Sequence, residues 1–172
     1  MSLPLRCAHL SDLHFAHPTW SLSQFFSKRW LGNANLLLSR QRDYTPKNLP
    51  ALTDLFKEHG VGHVLITGDL STTSAPGEFS RARDVVNSLE ERGFQVTVIP
   101  GNHDHYTTSA YKQKLFYQYF KASYVGAEHP LAAFNLKDHG LAARQLTPEW
   151  CLILLDTALA TSLVSSCGLF SR

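Results

Sequence analysis

Three short apolar runs, each broken off by a turn residue and followed at once by carboxylates, imidazoles or an amide, constrain this chain more than any bulk property. "LRCAHL" (5–10) runs into Ser11–Asp12–Leu13–His14, "VGHVLIT" (61–67) into Gly68–Asp69, and "FQVTVI" (94–99) into Pro100–Gly101–Asn102–His103–Asp104. Their length, β-branched content and closing Gly, Ser or Pro are those of strands. Helical periodicity lies between them. Residues 48–60 put Leu49, Leu52, Leu55 and Phe56 on one face, carry Pro50 in an early turn and stop at Gly60. Residues 75–93 put Phe79, Ala82, Val85, Val86 and Leu89 on one face and stop at Gly93. Strand, helix, strand, helix, strand is the order of parallel βαβ units, so the sequence predicts an α/β fold with a parallel or mixed β-sheet. Crossovers of this kind bring the strand C-termini to one edge of the sheet, where open α/β sheets bind ligands.

Composition narrows the class without naming a function. The chain has 172 residues, 44% of them hydrophobic and 17% charged, which suits one globular domain with a sizeable core. A net charge of +2 is too mild to argue for nucleic acid as a partner. Cys7, Cys151 and Cys167 are widely spaced and include no C-x-x-C, which argues against a disulfide framework or a zinc knuckle. With no secretory h-region at the N-terminus, the expected setting is reducing and cytoplasmic. Residues 150–170 hold the single charge Asp156 and are long enough to cross a bilayer, but their Ser/Thr content and central Asp favour a buried strand followed by a loop; no membrane span is expected.

The polar residues after the three runs have a chemistry in common. Asp12 and His14, two residues apart on extended chain, face one side and can chelate a transition metal, the imidazole favouring Zn, Fe, Ni or Mn. Asp69 brings a carboxylate able to bridge two ions, and Asn102 a carbonyl oxygen for the second. Two ions about 3.5–4 Å apart activate water and clamp a phosphoryl group for in-line attack. His103 is read as a proton donor to the leaving oxygen, with Asp104 orienting its ring and stabilising the cation. Taken singly, Asp12–Leu13–His14 is a common pattern and Gly68–Asp69 reads as a turn or cap. Gly101–Asn102–His103–Asp104 is more specific, arising by chance on the order of once in 10⁵ positions at average usage.

In that order, D-x-H, G-D and G-N-H-D, the chain resembles the calcineurin-like metallophosphoesterases over residues 5–157, where "CLILLDT" (151–157) is similar to the family's next strand. The resemblance implies the first half of a layered two-sheet sandwich and a phosphate-ester substrate. It also implies a dinuclear centre with Asp12, His14, Asp69 and Asn102 as ligands, assisted by His103 and Asp104. His103 is similar to the phosphodiesterase and repair-nuclease branches. The family's later Gly-His and Gly-His-x-His are not matched, since only His105, His129 and His139 follow Asp104. A single domain over 1–172 that stops short of the family's second half is therefore expected. So are weakened second-ion binding, and a sheet face left uncovered and open to self-association. The alternatives are a catalytically inactive binding module of the same family and a nuclease fragment. Residues 15–47, with Trp20, Phe25, Phe26 and Trp30, read as a helical lid or as an amphipathic helix covering the sheet; aromatics at helical spacing favour the second.

Overall fold

A computed structural model describes residues 4–16, 49–160 and 168–169. The segment read as a lid or covering helix, and Cys167, lie outside the described residues. The chain order is β1 (Cys7–Leu10), α1 (Leu49–Glu58), β2 (His63–Thr67), α2 (Pro76–Glu91), β3 (Gln95–Ile99), α3 (Thr108–Lys112), α4 (Phe116–Tyr119), α5 (Leu136–His139), β4 (Leu141–Gln145) and β5 (Cys151–Leu155). The first three strands form a parallel sheet in the order β1-β2-β3, and β4 pairs with β5 in a separate antiparallel ribbon. The α/β reading is correct.

Register assigns each strand residue to a face. Cys7 pairs with His63 and His63 with Gln95, so Ala8, Leu10, Val64, Ile66, Val96 and Val98 share one face. That face belongs to one core with Phe56, Phe79, Ala82, Val86, Leu89 and Phe116. α2 therefore buries the predicted stripe, and Val85 packs against it. Removing the wholly buried Phe79 ring would cost about 3–5 kcal/mol. α1 differs from expectation. Leu55 is exposed, and its place on the inner face is taken by Thr53, whose hydroxyl donates to the Pro50 carbonyl at 2.7 Å and so needs no water.

The two long helices end where the glycines predict. Gly60 and Gly93 have φ of 63° and 93°, and in each case the following amide reaches back to close a Schellman motif, Val61 N–H to Phe56 O and Phe94 N–H to Leu89 O. Residues 108–120 put Tyr111, Leu115 and Tyr119 along one face and so read as one helix, but the structure has two short ones. Lys114 adopts φ 51° between them, with Lys114 N–H bonded to Tyr111 O and Leu115 N–H to Ala110 O. The same motif thus forms on a lysine, held by burial of Ala110 and Leu115.

The second ribbon packs on the other face of the sheet. Leu136, Ala142 and Leu154 cluster with Ile99, Tyr117, Tyr124 and Leu152, and Arg144 donates to the Gln95 side chain at 3.0 Å. The Tyr124 hydroxyl accepts from Val98 N–H at 3.0 Å and donates to Val98 O at 2.9 Å, blocking part of the β3 edge. β5 is a strand, as read, but not a buried one, since Ile153 and Leu155 are 50% and 43% exposed beside an exposed Trp150. Exposed apolar side chains therefore sit on the ribbon. On the three-stranded sheet the open positions carry Cys7, His9, Thr67 and Gln95. No helix among the described residues is long and apolar enough to cross a membrane.

Candidate metal centre

The strand ends deliver the predicted residues through a continued ladder. Past β1, Asp12 N–H bonds Gly68 O at 3.2 Å, His14 N–H bonds Asp69 O at 2.8 Å and Phe15 N–H bonds Leu70 O at 2.6 Å. The segment after β1 thus runs beside the segment after β2. Asp12, His14 and Asp69 each take a left-handed conformation, with φ of 56°, 45° and 53°. Such a conformation costs a non-glycine residue roughly 1–3 kcal/mol and persists where the surroundings impose it, which in proteins clusters at functional sites. Asp12 and His14 share a side, as expected, but through two left-handed residues and not an extended chain.

The result is a compact donor set. One ligand atom from each of Asp12, His14 and Asp69 lies within 4.8 Å of the others. His14 Nε2 stands 3.7 Å from Asp12 Oδ1, with the imidazole buried and the carboxylate open to solvent. Two carboxylates and one imidazole suit a first-row transition ion, so the side chains present fit the kind of group that the sequence implies.

Two glycines allow β2 and β3 to meet here. A Cβ on Gly68 would lie 2.6 Å from the Gly101 Cα, and one on Gly101 would lie 2.3 Å from Asp69 Oδ1. With no side chain in the way, Asp69 Oδ1 accepts the His103 N–H at 2.9 Å, tying the 101–105 turn to the carboxylate. Asn102 lies on this turn and is exposed.

His103 and Asp104 diverge from the expected pairing. The His103 Nδ1 meets the Thr72 carbonyl at 2.8 Å, so Nδ1 carries the proton and Nε2 is left as the exchangeable position. Its ring stands edge-on to His14 at 4.9 Å between centroids and stacks on Tyr106 at 5.4 Å. The Asp104 carboxylate does not orient this ring. It is fully buried and accepts from Gly101 N–H (3.0 Å), Leu70 N–H (3.2 Å), Ser71 N–H (2.8 Å) and the Ser71 hydroxyl (2.8 Å). Burial pushes its carboxyl up to about 6, against the pull of the Gly101, Ser71 and Leu70 donors. Asp104 thus clamps the β2 and β3 loops together. The job expected of it passes to the Thr72 carbonyl, which no side-chain pattern could reveal.

The later histidines are held elsewhere. His129 Nδ1 accepts from Leu131 N–H, and its Nε2 lies 3.8 Å from Cys151 Sγ; His139 Nδ1 accepts from Asn135 N–H. Sequence reasoning passed over His105, which is buried against Asp156 with Nε2 to Oδ2 at 3.5 Å. Its place directly after G-N-H-D was the available signal.

A family model described as calcineurin-like phosphoesterase matches residues 5–148, most of the chain and all of the residues of this centre. No curated protein matches it.

Proposed function

We propose that this chain, which belongs to the calcineurin-like phosphoesterase family, is a metal-dependent hydrolase of phosphate esters that works at the rim formed by Asp12, His14, Asp69, Asn102 and His103. The observation that carries the proposal is the convergence of Asp12, His14 and Asp69 donor atoms within 4.8 Å, each on a left-handed backbone. Asp12, His14 and Asp69 would hold one ion, and Asp69 with Asn102 would contribute to a second. Bound there, the metal would supply a Lewis acid for the phosphoryl oxygens and an activated water.

The chain's own groups supply the rest. The Thr72 carbonyl fixes the His103 tautomer, so that Nε2 is the nitrogen that can pass a proton to the departing ester oxygen. The Tyr106 ring, stacked on His103, limits the swing of the imidazole. Asp104 acts indirectly, by holding the loops that carry Asp69 and His103 in register.

The test is metal stoichiometry and hydrolysis of p-nitrophenyl phosphate and its bis-ester after loading with Mn²⁺ and desalting. Asp69→Asn is expected to lower bound Mn²⁺ and to cut turnover at least 100-fold. Unchanged turnover in that variant would sink the proposal. One ion per chain is expected because His129 and His139 are engaged in local contacts away from the donor set. Mn²⁺ uptake without hydrolysis of either ester would favour the binding-module reading.

A further inference from the structure

His105 is an odd choice for its pocket. It is 1% exposed, packed against Tyr111, Phe116 and Tyr117, and neither ring nitrogen has a hydrogen-bond partner among the described residues. A phenylalanine would fill that space without desolvating two nitrogens. Among the described residues the charged group paired with it is Asp156, just past the end of β5. Its Oδ2 stands 3.5 Å from His105 Nε2 and accepts the Tyr117 hydroxyl at 2.5 Å, while Oδ1 accepts Ala158 N–H at 3.0 Å. The Asp156 backbone is fixed in turn by its N–H to Gly140 O at 2.8 Å.

His105 closes the turn that begins at Gly101. The turn's internal bonds are long, Asp104 N–H to Gly101 O at 3.2 Å and His105 N–H to Asn102 O at 3.3 Å, against the usual 2.9–3.0 Å. Gly101, His103 and Asp104 have outside anchors through Asp104 and Asp69. Asn102 is tied through its carbonyl to the His105 N–H at 3.3 Å, and the exit of the turn is held by the buried His105 side chain together with the Tyr106 N–H to Ser74 Oγ bond at 2.7 Å. We infer that His105, keyed by Asp156 from the second ribbon, is a positioning residue that locks the exit of the 101–105 turn and so sets Asn102 toward the metal centre. The inference builds on the function proposed above, but its first readout needs no metal.

The experiment is amide hydrogen exchange on the metal-free protein, with thermal melting and a Mn²⁺ titration alongside. In His105→Phe the melting temperature should hold or rise, because the ring fits the aromatic pocket. The amides of Asp104 and of residue 105, whose bonds to Gly101 O and Asn102 O close the turn, should nevertheless exchange at least tenfold faster, and Mn²⁺ should bind about tenfold more weakly. Asp156→Asn should loosen the same amides, and His105→Gln, which keeps a donor for Asp156, should bring them back to within threefold of the parent. Exchange within twofold of the parent in both His105→Phe and Asp156→Asn would overturn the inference. So would a fall in melting temperature that matches the loss of protection, since that is plain destabilisation. A parent protein that takes up no Mn²⁺ would overturn the proposed function, and the exchange rates would still decide the role of His105.

Discussion

At Gly101 there is no room for a methyl group, because a Cβ would meet both the Asp69 carboxylate oxygen at 2.3 Å and the Asp69 amide nitrogen at 2.6 Å. The obstacle is partly backbone, so the clash cannot be relieved by one rotamer. Gly101→Ala should therefore cost about 1–3 kcal/mol and displace Asp69 from Asp12 and His14. Melting and Mn²⁺ titration check this, and an alanine variant matching the parent in both would show that the loops part freely. This scale also explains why some of the site could be read from sequence. Asp12, His14 and Asp69 carry their chemistry in their side chains and follow strand-like runs, so residue type and position pointed to them together. The Thr72 carbonyl that fixes His103 has no residue signature. The amides of Leu70 and Ser71, which claim Asp104, have none either.

Among the elements, the break between α3 and α4 is the clearest departure from the sequence pattern. Gly60 and Gly93 announce their helix ends because glycine enters the left-handed region without a steric penalty. Lys114 makes the same turn with a side chain attached, so periodicity read the two helices as one. Lys114→Gly should relieve about 1–2 kcal/mol of left-handed strain, less about 0.5 kcal/mol for the lost contact of its ammonium with the Tyr111 ring at 5.3 Å. A net gain of about 1 kcal/mol corresponds to a rise of about 2–4 °C in melting temperature for a chain of this size. A lower melting temperature would mean that the ring contact outweighs the strain. The strand pairing was more legible. Parallel order follows from helical crossovers of sufficient length, and alternation then fixes which side chains meet the core.

In the whole molecule, the relation between the two sheets is what the sequence did not disclose. β4, "LAARQ", has neither β-branched residues nor a clean alternation, and its partner β5 reads as a buried strand although it faces outward. The seam between the sheets holds polar groups, and His63 is the one whose titration should register in stability. It is buried on the sheet face that β4 approaches, and its Nε2 meets Thr97 Oγ1 at 2.8 Å. Burial, reinforced by the Arg144 cation from β4, lowers its pKa from 6.5 to about 4. The unfolded chain takes up a proton here below pH 6.5, whereas the folded chain resists until about pH 4. Stability contributed by the neutral ring is therefore complete above pH 6.5 and falls as the pH drops toward 4, by about 3 kcal/mol in total. The Asp104 carboxyl, raised to about 6, works in the opposite direction over part of this range, so the effect is read as a difference: denaturant midpoints measured from pH 7.5 to 4 should fall in the parent relative to His63→Gln, which keeps a partner for Thr97 but does not titrate. Parallel curves would place the acid sensitivity elsewhere. They would also mean that the Arg144 side of the seam opens to water enough to let His63 charge at its ordinary pKa.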